Sequence, residues 1–265
     1  MDYKTYYSNL ARDHVNEMNR KFLYEINGSI AHSVIYNSTP QIIIKNGIDL
    51  ETSHLYDTKI CIMPITTVDA IMIKSLQSYS KMCALNFASF KHPGGQFLEG
   101  STTQEEALCH KSTLYNVLKY FDDSYYAENR KMLNKSLYMN RALYTPNILF
   151  IQDRTIRNCD VITCAAPNAK TGLRYRMVTP EEVYNTLVSR IDMILAIAAH
   201  NMEQVLILGA WGCGVFGNNI NDVATIFVDL ITGKYRYCFQ EIIFAIPDMN
   251  TYNRFCDAAM SFKER

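Results

Sequence analysis

Short runs of consecutive apolar residues alternate along the chain with longer stretches whose apolar residues recur at three and four. The runs are QIIIK (41 to 45), KICIM (59 to 63), CALNF (83 to 87), ILFIQ (148 to 152), VITCAA (161 to 166), VLILG (205 to 209) and EIIFAI (241 to 246). A strand apolar on consecutive positions is covered on both faces, so the alternation predicts an α/β layer fold with a central sheet between helices. The clearest helix runs from Thr179 to about His200. Thr179 and Glu182 form a capping box, Pro180 suits the first turn, and Val183, Leu187, Ile191, Ile194 and Leu195 make one buried stripe. A second helix follows Asn221, with Val223, Ile226, Phe227 and Leu230 on one face. A third begins near Thr103 and carries Leu108, Leu114, Tyr115 and Leu118 inward. The segment 120 to 145, rich in Tyr, Asn and Asp, reads as a surface excursion.

At 265 residues, with no linker-like stretch, one domain is expected. The 26 basic residues balance 26 acidic ones, which leaves no broad electrostatic footprint for duplex nucleic acid or an anionic membrane. No apolar run approaches a membrane span and the first twenty residues lack a signal core, so a cytoplasmic or nuclear protein is expected rather than a secreted one. The eight cysteines are scattered without a C-x-x-C and read as reduced, structural thiols. His92, Cys109 and His110 match no common ligand spacing, so neither a metal nor a cofactor is expected.

The chemistry concentrates in two glycine loops. CALNF runs into ASFKHPGGQFLEGSTT and then QEEALCHKSTLYNVL, which places a loop at the carboxyl end of a strand and two acids at the start of a helix. Ligands of α/β sheets bind at that edge, where helix N-termini present unpaired N–H groups. Gly94, Gly95 and Gly100 permit positive φ and close backbone approach. A bland reading stands beside this one: Thr103 and Glu106 are themselves a capping box, and acids in a first turn offset the macrodipole by about 0.3 to 1 kcal/mol each.

VLILGAWGCGVFGNNINDVATIFVDL repeats strand, glycine turn and helix, and holds G-x-G-x-x-G at Gly212, Gly214 and Gly217. A dinucleotide fingerprint would need another βαβ half and an acid closing the next strand. Only EIIFAI remains and Asp229 falls inside the helix, so that reading is rejected. No G-x-x-x-x-G-K-[ST] is present, and no carboxylate cluster flanks either loop to demand magnesium. Two such loops at one sheet edge can instead grip a diphosphate by main-chain N–H groups. Phe216 and Trp211 offer rings to a ribose or base, or serve as core plugs.

The stretches LNFASFKHPGGQFLEGSTTQEEALC (85 to 109), DVITCAAPN (160 to 168), RMVTPEEV (176 to 183), LGAWGCGVFGN (208 to 218) and IIFAIPD (242 to 248) resemble, in order, the microbial-type poly(ADP-ribose) glycohydrolases. The resemblance implies a three-layer α/β/α macrodomain with a central mixed sheet, filling residues 1 to 265 as one catalytic domain with a helical N-terminal extension over 1 to 55. It also implies a cleft for ADP-ribose between the two glycine loops. By position, Glu106 would be the catalytic glutamate and Glu105 would hold ribose hydroxyls. Gly94 and Gly95 match the glycine signature, whose usual third glycine is here Gln96. Gly212, Gly214, Val215 and Phe216 match the diphosphate loop and the aromatic beside the distal ribose. Ser89, Gln96, Gln104, Asn168, Cys213 and Gly217 complete the expected lining. The partner implied is ADP-ribose or poly(ADP-ribose) attached to protein.

The chemistry suits these residues. Cleaving a ribosyl bond passes through an oxocarbenium-like state in which a carboxylic acid protonates the departing oxygen, and a glutamate held against a sugar and apolar walls can carry that proton near neutrality. Adjacent helix positions diverge by about a quarter-turn or more, so Glu105 and Glu106 are poor candidates for opposite faces of one sugar. Glu106 is therefore expected to act first as acid and then as base to water, with Glu105 positioning a hydroxyl. The rivals are a hydrolase removing a single ADP-ribose from protein, which Gln96 keeps open, and a non-catalytic reader, which would have no need of the acids.

Overall fold

In the computed structural model, residues 2 to 41, 55 to 75 and 81 to 260 are described, and most of the strand expected at 41 to 45 lies outside them. Seven strands form one mixed sheet: β1 (Val34–Tyr36), β2 (Lys59–Met63), β3 (Met82–Phe87), β4 (Ala142–Gln152), β5 (Thr155–Cys164), β6 (Val205–Leu208) and β7 (Glu241–Ala245). Their order is β1-β4-β5-β3-β6-β7-β2. The five from β5 to β2 run parallel, while β4 is antiparallel to both β5 and β1.

The consecutive apolar runs have the cause inferred for them, since each central strand feeds two cores. Cys83 and Leu85 of β3, Leu206 and Leu208 of β6, and Ile242 and Phe244 of β7 enter one cluster. The same cluster takes the stripe of α7 (Pro180–His200) with residues of α8 (Ile220–Thr232) and α9 (Met249–Met260). Met82, Ala84, Val205, Ile207 and Ile243 face the other way. That second cluster also takes α1 (Tyr3–His32), α2 (Thr67–Ser75), α3 (Gln104–His110) and α4 (Leu114–Tyr120). Three layers result, helices on both faces of a covered sheet. No described helix is long and apolar enough to cross a membrane.

The α7 capping box forms in both directions, Glu182 N–H to Thr179 Oγ1 at 3.1 Å and Thr179 N–H to Glu182 Oε2 at 2.6 Å. Three features differ from expectation. The helix after Thr103 is two helices: between α3 and α4, Ser112 bridges to Phe150 and the Thr113 N–H reaches Leu149 O at 3.0 Å, so contact with β4 breaks the helical path. The N-terminal segment is not wholly helical, because β1 joins the sheet edge against β4. Residues 120 to 145 are no surface excursion. They hold a π-turn (Asp122–Tyr126), α5 (Ala127–Lys131), a tight turn (Asn134–Ser136) and the start of β4, and Tyr125, Tyr126 and Asn129 are fully buried.

Candidate active site

The two glycine loops leave the carboxyl ends of β3 and β6, which are hydrogen-bonded parallel neighbours, and the turn Ala165 to Asn168 leaves β5 on the other side of β3. Three adjacent strand ends thus deliver one composite edge.

The first loop is built around the two acids. Gly94 and Gly95 have φ of +68° and +62°, the left-handed region that favours glycine. A Cβ on Gly95 would sit 2.5 Å from Glu106 Oε1 and 2.9 Å from Glu105 Oε2, so both carboxylates lie directly beneath that residue. Their helix positions diverge, yet their stems reach the same glycine and form one acidic cluster. Gln96 lies outside the positive-φ region, its side chain is exposed, and its N–H donates to Glu106 Oε1 at 2.9 Å. The turn therefore needs no third glycine for its backbone.

Both acids are buried. Glu105 accepts from Ser89 N–H at 2.6 Å and from Asn86 Nδ2 at 3.1 Å. Burial raises its carboxyl to about 8, with the Glu106 charge pushing the same way and the N–H groups of Ser89 and Gly94 and the Asn86 amide opposing. Glu106 Oε2 is engaged by the Thr103 hydroxyl. The capping box expected at this helix is absent: Thr103 has N-cap backbone geometry but makes no side-chain cap bond, because its hydroxyl serves the Glu106 carboxylate instead.

A stability prediction follows from Glu105. Its folded pKa lies above the ordinary glutamate value, so the protonated form is favoured in the fold. That contribution is complete below pH ~4.5 and is lost as pH rises through about 8. Glu105→Gln should therefore gain on the wild type between pH 5 and 9, by at most about 1.4 kcal/mol per pH unit. Thermal melts across that range check it; parallel curves would refute it. Glu203, raised to about 8 by burial at the far end of the sheet, is common to both proteins and cancels.

The second loop keeps its donors. The N–H groups of Gly212, Gly214, Val215 and Phe216 bond no other described residue, whereas those of Cys213, Gly217 and Asn218 are spent within the turn. Gly212, at φ +74°, is enclosed by Ala166 and the Asn218 amide, and that amide donates to Pro167 O and Gly212 O, both at 2.9 Å. Gly214 has open space around its Cα and Val215 is exposed. Trp211 is fully buried and donates to Cys164 O at 3.0 Å, which makes it the core plug of the two readings.

The other expected residues divide by what holds them. Gln104 is committed to β3, accepting from Phe87 N–H at 2.9 Å and donating to Leu85 O at 2.9 Å and Thr67 Oγ1 at 3.2 Å. Asn168 caps α6 (Ala169–Tyr175) through Thr171 N–H at 3.0 Å. The Cys213 thiol is mostly buried, which pushes it up to about 12. Phe216 is half-buried and joins a cluster with Phe90, Tyr138 and Ala165, which ties together the first loop, the 120 to 145 segment, the β5 turn and the second loop. His110 lies edge-on to Phe97 and Tyr7, and among the described residues no three His, Cys, Asp or Glu groups gather to hold a metal.

Several supports were missed in the sequence. Phe90 stacks on Tyr138 with centroids 4.3 Å apart. Asn129 Nδ2 holds Phe90 O at 2.9 Å. Arg190, fully buried, donates to Leu137 O, Tyr138 O and Ala165 O at 2.9 to 3.0 Å and to Asn140 Oδ1 at 3.1 Å. It thereby pins a run in which Asn134, Lys135, Ser136 and Tyr138 all take positive φ. Its signal was available, an arginine between Leu187 and Ile194 in an otherwise apolar helix stripe. Helix α1 also buttresses the first loop: Ser8 donates to Leu98 O at 2.6 Å, and Lys4 O lies 2.1 Å from where a Cβ on Gly100 would stand.

Comparison with known proteins agrees with this architecture. The family model described as microbial-type PARG, catalytic domain, matches residues 5 to 153. Poly(ADP-ribose) glycohydrolase from Thermomonospora curvata superimposes with a TM-score of 0.84 at 25% identity, covering 96% of this chain and 99% of that one. The same protein bound to the inhibitor ADP-HPD gives 0.82 at 26% identity with the same coverage. Poly(ADP-ribose) glycohydrolase from Deinococcus radiodurans in complex with ADP-ribose gives 0.77 at 29%, covering 90% of this chain and 96% of that one. No curated protein matches.

Proposed function

Because the chain belongs to the microbial-type poly(ADP-ribose) glycohydrolase family, we propose that it hydrolyses the ribose–ribose bond of poly(ADP-ribose) and releases ADP-ribose, with Glu106 as the acid and base. The observation that carries this reading is the burial of two carboxylates under Gly95, one strand away from a loop with four uncommitted N–H donors. The donors of Gly212, Gly214, Val215 and Phe216 suit a diphosphate, which places the distal ribose toward the acids. Glu106 gives its proton to the glycosidic oxygen as the C–O bond breaks. Water then bonds the anomeric carbon and returns a proton to the Glu106 carboxylate, so the enzyme ends as it began.

Around that acid the roles are passive. Gln96 N–H and the Thr103 hydroxyl fix the Glu106 carboxyl, while Ser89 and Asn86 fix Glu105 where it can hold ribose hydroxyls. Phe216, supported on the Phe90–Tyr138 stack, is the wall against the distal ribose. Residues Ser89, Gln96, Gln104, Asn168, Cys213 and Gly217 shape the lining mostly through backbone and capping bonds.

The substrate is ADP-ribose polymer carried on protein, handled by a single catalytic domain that takes no metal, cofactor, duplex or membrane. All eight cysteines are free, which supports a reducing compartment such as cytosol or nucleus. Incubation with polymer and with singly modified protein tests the reading. Free ADP-ribose from the polymer is expected. Release from the singly modified protein alone would select the mono-ADP-ribosyl hydrolase instead, and binding without release would select a reader.

A further inference from the structure

Beside the second loop lies a surface that holds none of the residues assigned to the proposed site. The Lys170 N–H donates to Phe216 O at 2.9 Å and the Lys170 Cβ covers Gly217, so α6 starts on the loop proposed to hold the diphosphate. From there five consecutive residues, Leu173, Arg174, Tyr175, Arg176 and Met177, are all exposed. Tyr175 is 65% and Met177 92% exposed, a degree that burial would normally reduce for such large apolar groups. The Arg174 guanidinium stands 5.1 Å from the Tyr175 ring centroid.

The charge here is also out of character. The chain is neutral overall, yet residues 170 to 177 hold three cations and no acid. None of the three forms an ion pair with a described residue. The nearest acids in sequence, Glu181 and Glu182, start α7, and Glu182 is held by Thr179 N–H and by Lys135 Nζ at 3.6 Å. Unneutralised cations interleaved with an exposed ring and apolar side chains are the means by which proteins hold a phosphate backbone bearing unpaired bases.

We infer that this surface binds the unit of poly(ADP-ribose) adjacent to the one being cut, its pyrophosphate on Arg174 and Arg176 and its adenine on Tyr175. The inference rests on the proposed polymer hydrolysis. The occupant is fixed by charge complementarity and by continuity with Phe216, the wall proposed for the distal ribose to which that unit is joined. A substrate of one ADP-ribose unit gains nothing from the surface, so it would make the enzyme prefer chains over single units.

The test uses the full chain and its triple variant R174A/Y175A/R176A. All three side chains are exposed and form no hydrogen bond or ion pair with another described residue, so folding should be retained. ADP-ribose titrated by calorimetry should bind both proteins equally, and kcat on saturating polymer should be equal. KM for polymer should rise about tenfold in the variant. The slope of log affinity for polymer against log salt should become shallower by about 1.4, on a cost of about 0.7 per lost phosphate contact. Equal KM and equal slope, with polymer still cut, would overturn this inference and leave the proposed function standing. Failure of wild type to bind ADP-ribose or cut polymer would overturn the proposed function, and this inference with it. Loss of affinity for an adenine-rich oligoribonucleotide of matched charge, with polymer KM unchanged, would assign the surface to RNA and also overturn it.

Discussion

Glu106→Gln should lower the turnover of poly(ADP-ribose) by about two to four orders of magnitude while leaving affinity for ADP-ribose within a few-fold of wild type. The amide keeps the shape of the carboxyl, and its oxygen can still accept from Gln96 N–H, so the loop above it has no cause to move. What is lost is the proton for the departing oxygen and, afterwards, the base for water. The two effects separate because ADP-ribose carries no bond to be cut. Glu105→Gln should behave differently: its amide nitrogen can only donate where the second carboxyl oxygen could accept a ribose hydroxyl, so the loss should fall on affinity as well as rate. Release of ADP-ribose by Glu106→Gln at the wild-type rate would remove this residue from the chemistry. A rate loss accompanied by an equal loss of ADP-ribose binding would move it from acid to ligand holder.

How far the site was legible depended on whether each residue works through local or distant contacts. The glycine loops were legible because their geometry is local: positive φ at Gly94, Gly95 and Gly212 is a property of the turn itself. Strands β3, β6 and β7 were legible because two-sided burial leaves unbroken apolar runs. Strand β4 was found only from Ile148 onward, since the register shift between Thr145 and Ile148 puts Pro146 and a left-handed Asn147 where the pattern should continue. That break made residues up to 145 look like surface.

The 120 to 145 segment hid its role for a related reason. Its tyrosines and asparagines look polar in a sequence, but Tyr125 and Tyr126 are buried whole and the Asn129 amide is spent on the backbone at Phe90. Such long-range bonds leave no periodic trace. The Thr103–Glu106 pair shows the opposite error. The capping-box pattern was present, and a local rule would have consumed Glu106 in it. Tertiary contact overrode the rule when the Gln96 N–H offered a partner across the loop, which freed the carboxylate from helix capping and placed it under Gly95.

Gly95→Ala should damage stability and turnover together, and comparison with Gly214→Ala should show why. At position 95 a methyl faces two separate obstacles. The φ of +62° costs an L-residue about 1 to 2 kcal/mol. The new Cβ would also meet Glu106 Oε1 at 2.5 Å and Glu105 Oε2 at 2.9 Å, which no real contact sustains. Neither oxygen can retreat freely, because one holds Gln96 N–H and the other Ser89 N–H, and leaving a buried donor unsatisfied costs roughly 1 to 3 kcal/mol. The expected result is a melting temperature lower by several degrees, at about 2 to 4 °C per kcal/mol for a chain near this size. Turnover should fall at least about a hundredfold, since both carboxylates move together and a displacement near 1 Å is enough for that loss. At position 214 no atom lies within 4 Å of an added Cβ and φ is not in the left-handed region. Gly214→Ala should therefore melt like the wild type and weaken only ADP-ribose binding, by obstructing close approach of the diphosphate to the loop. If the two variants lost stability equally, the close packing of Gly95 on the acids would not be what the first loop depends on.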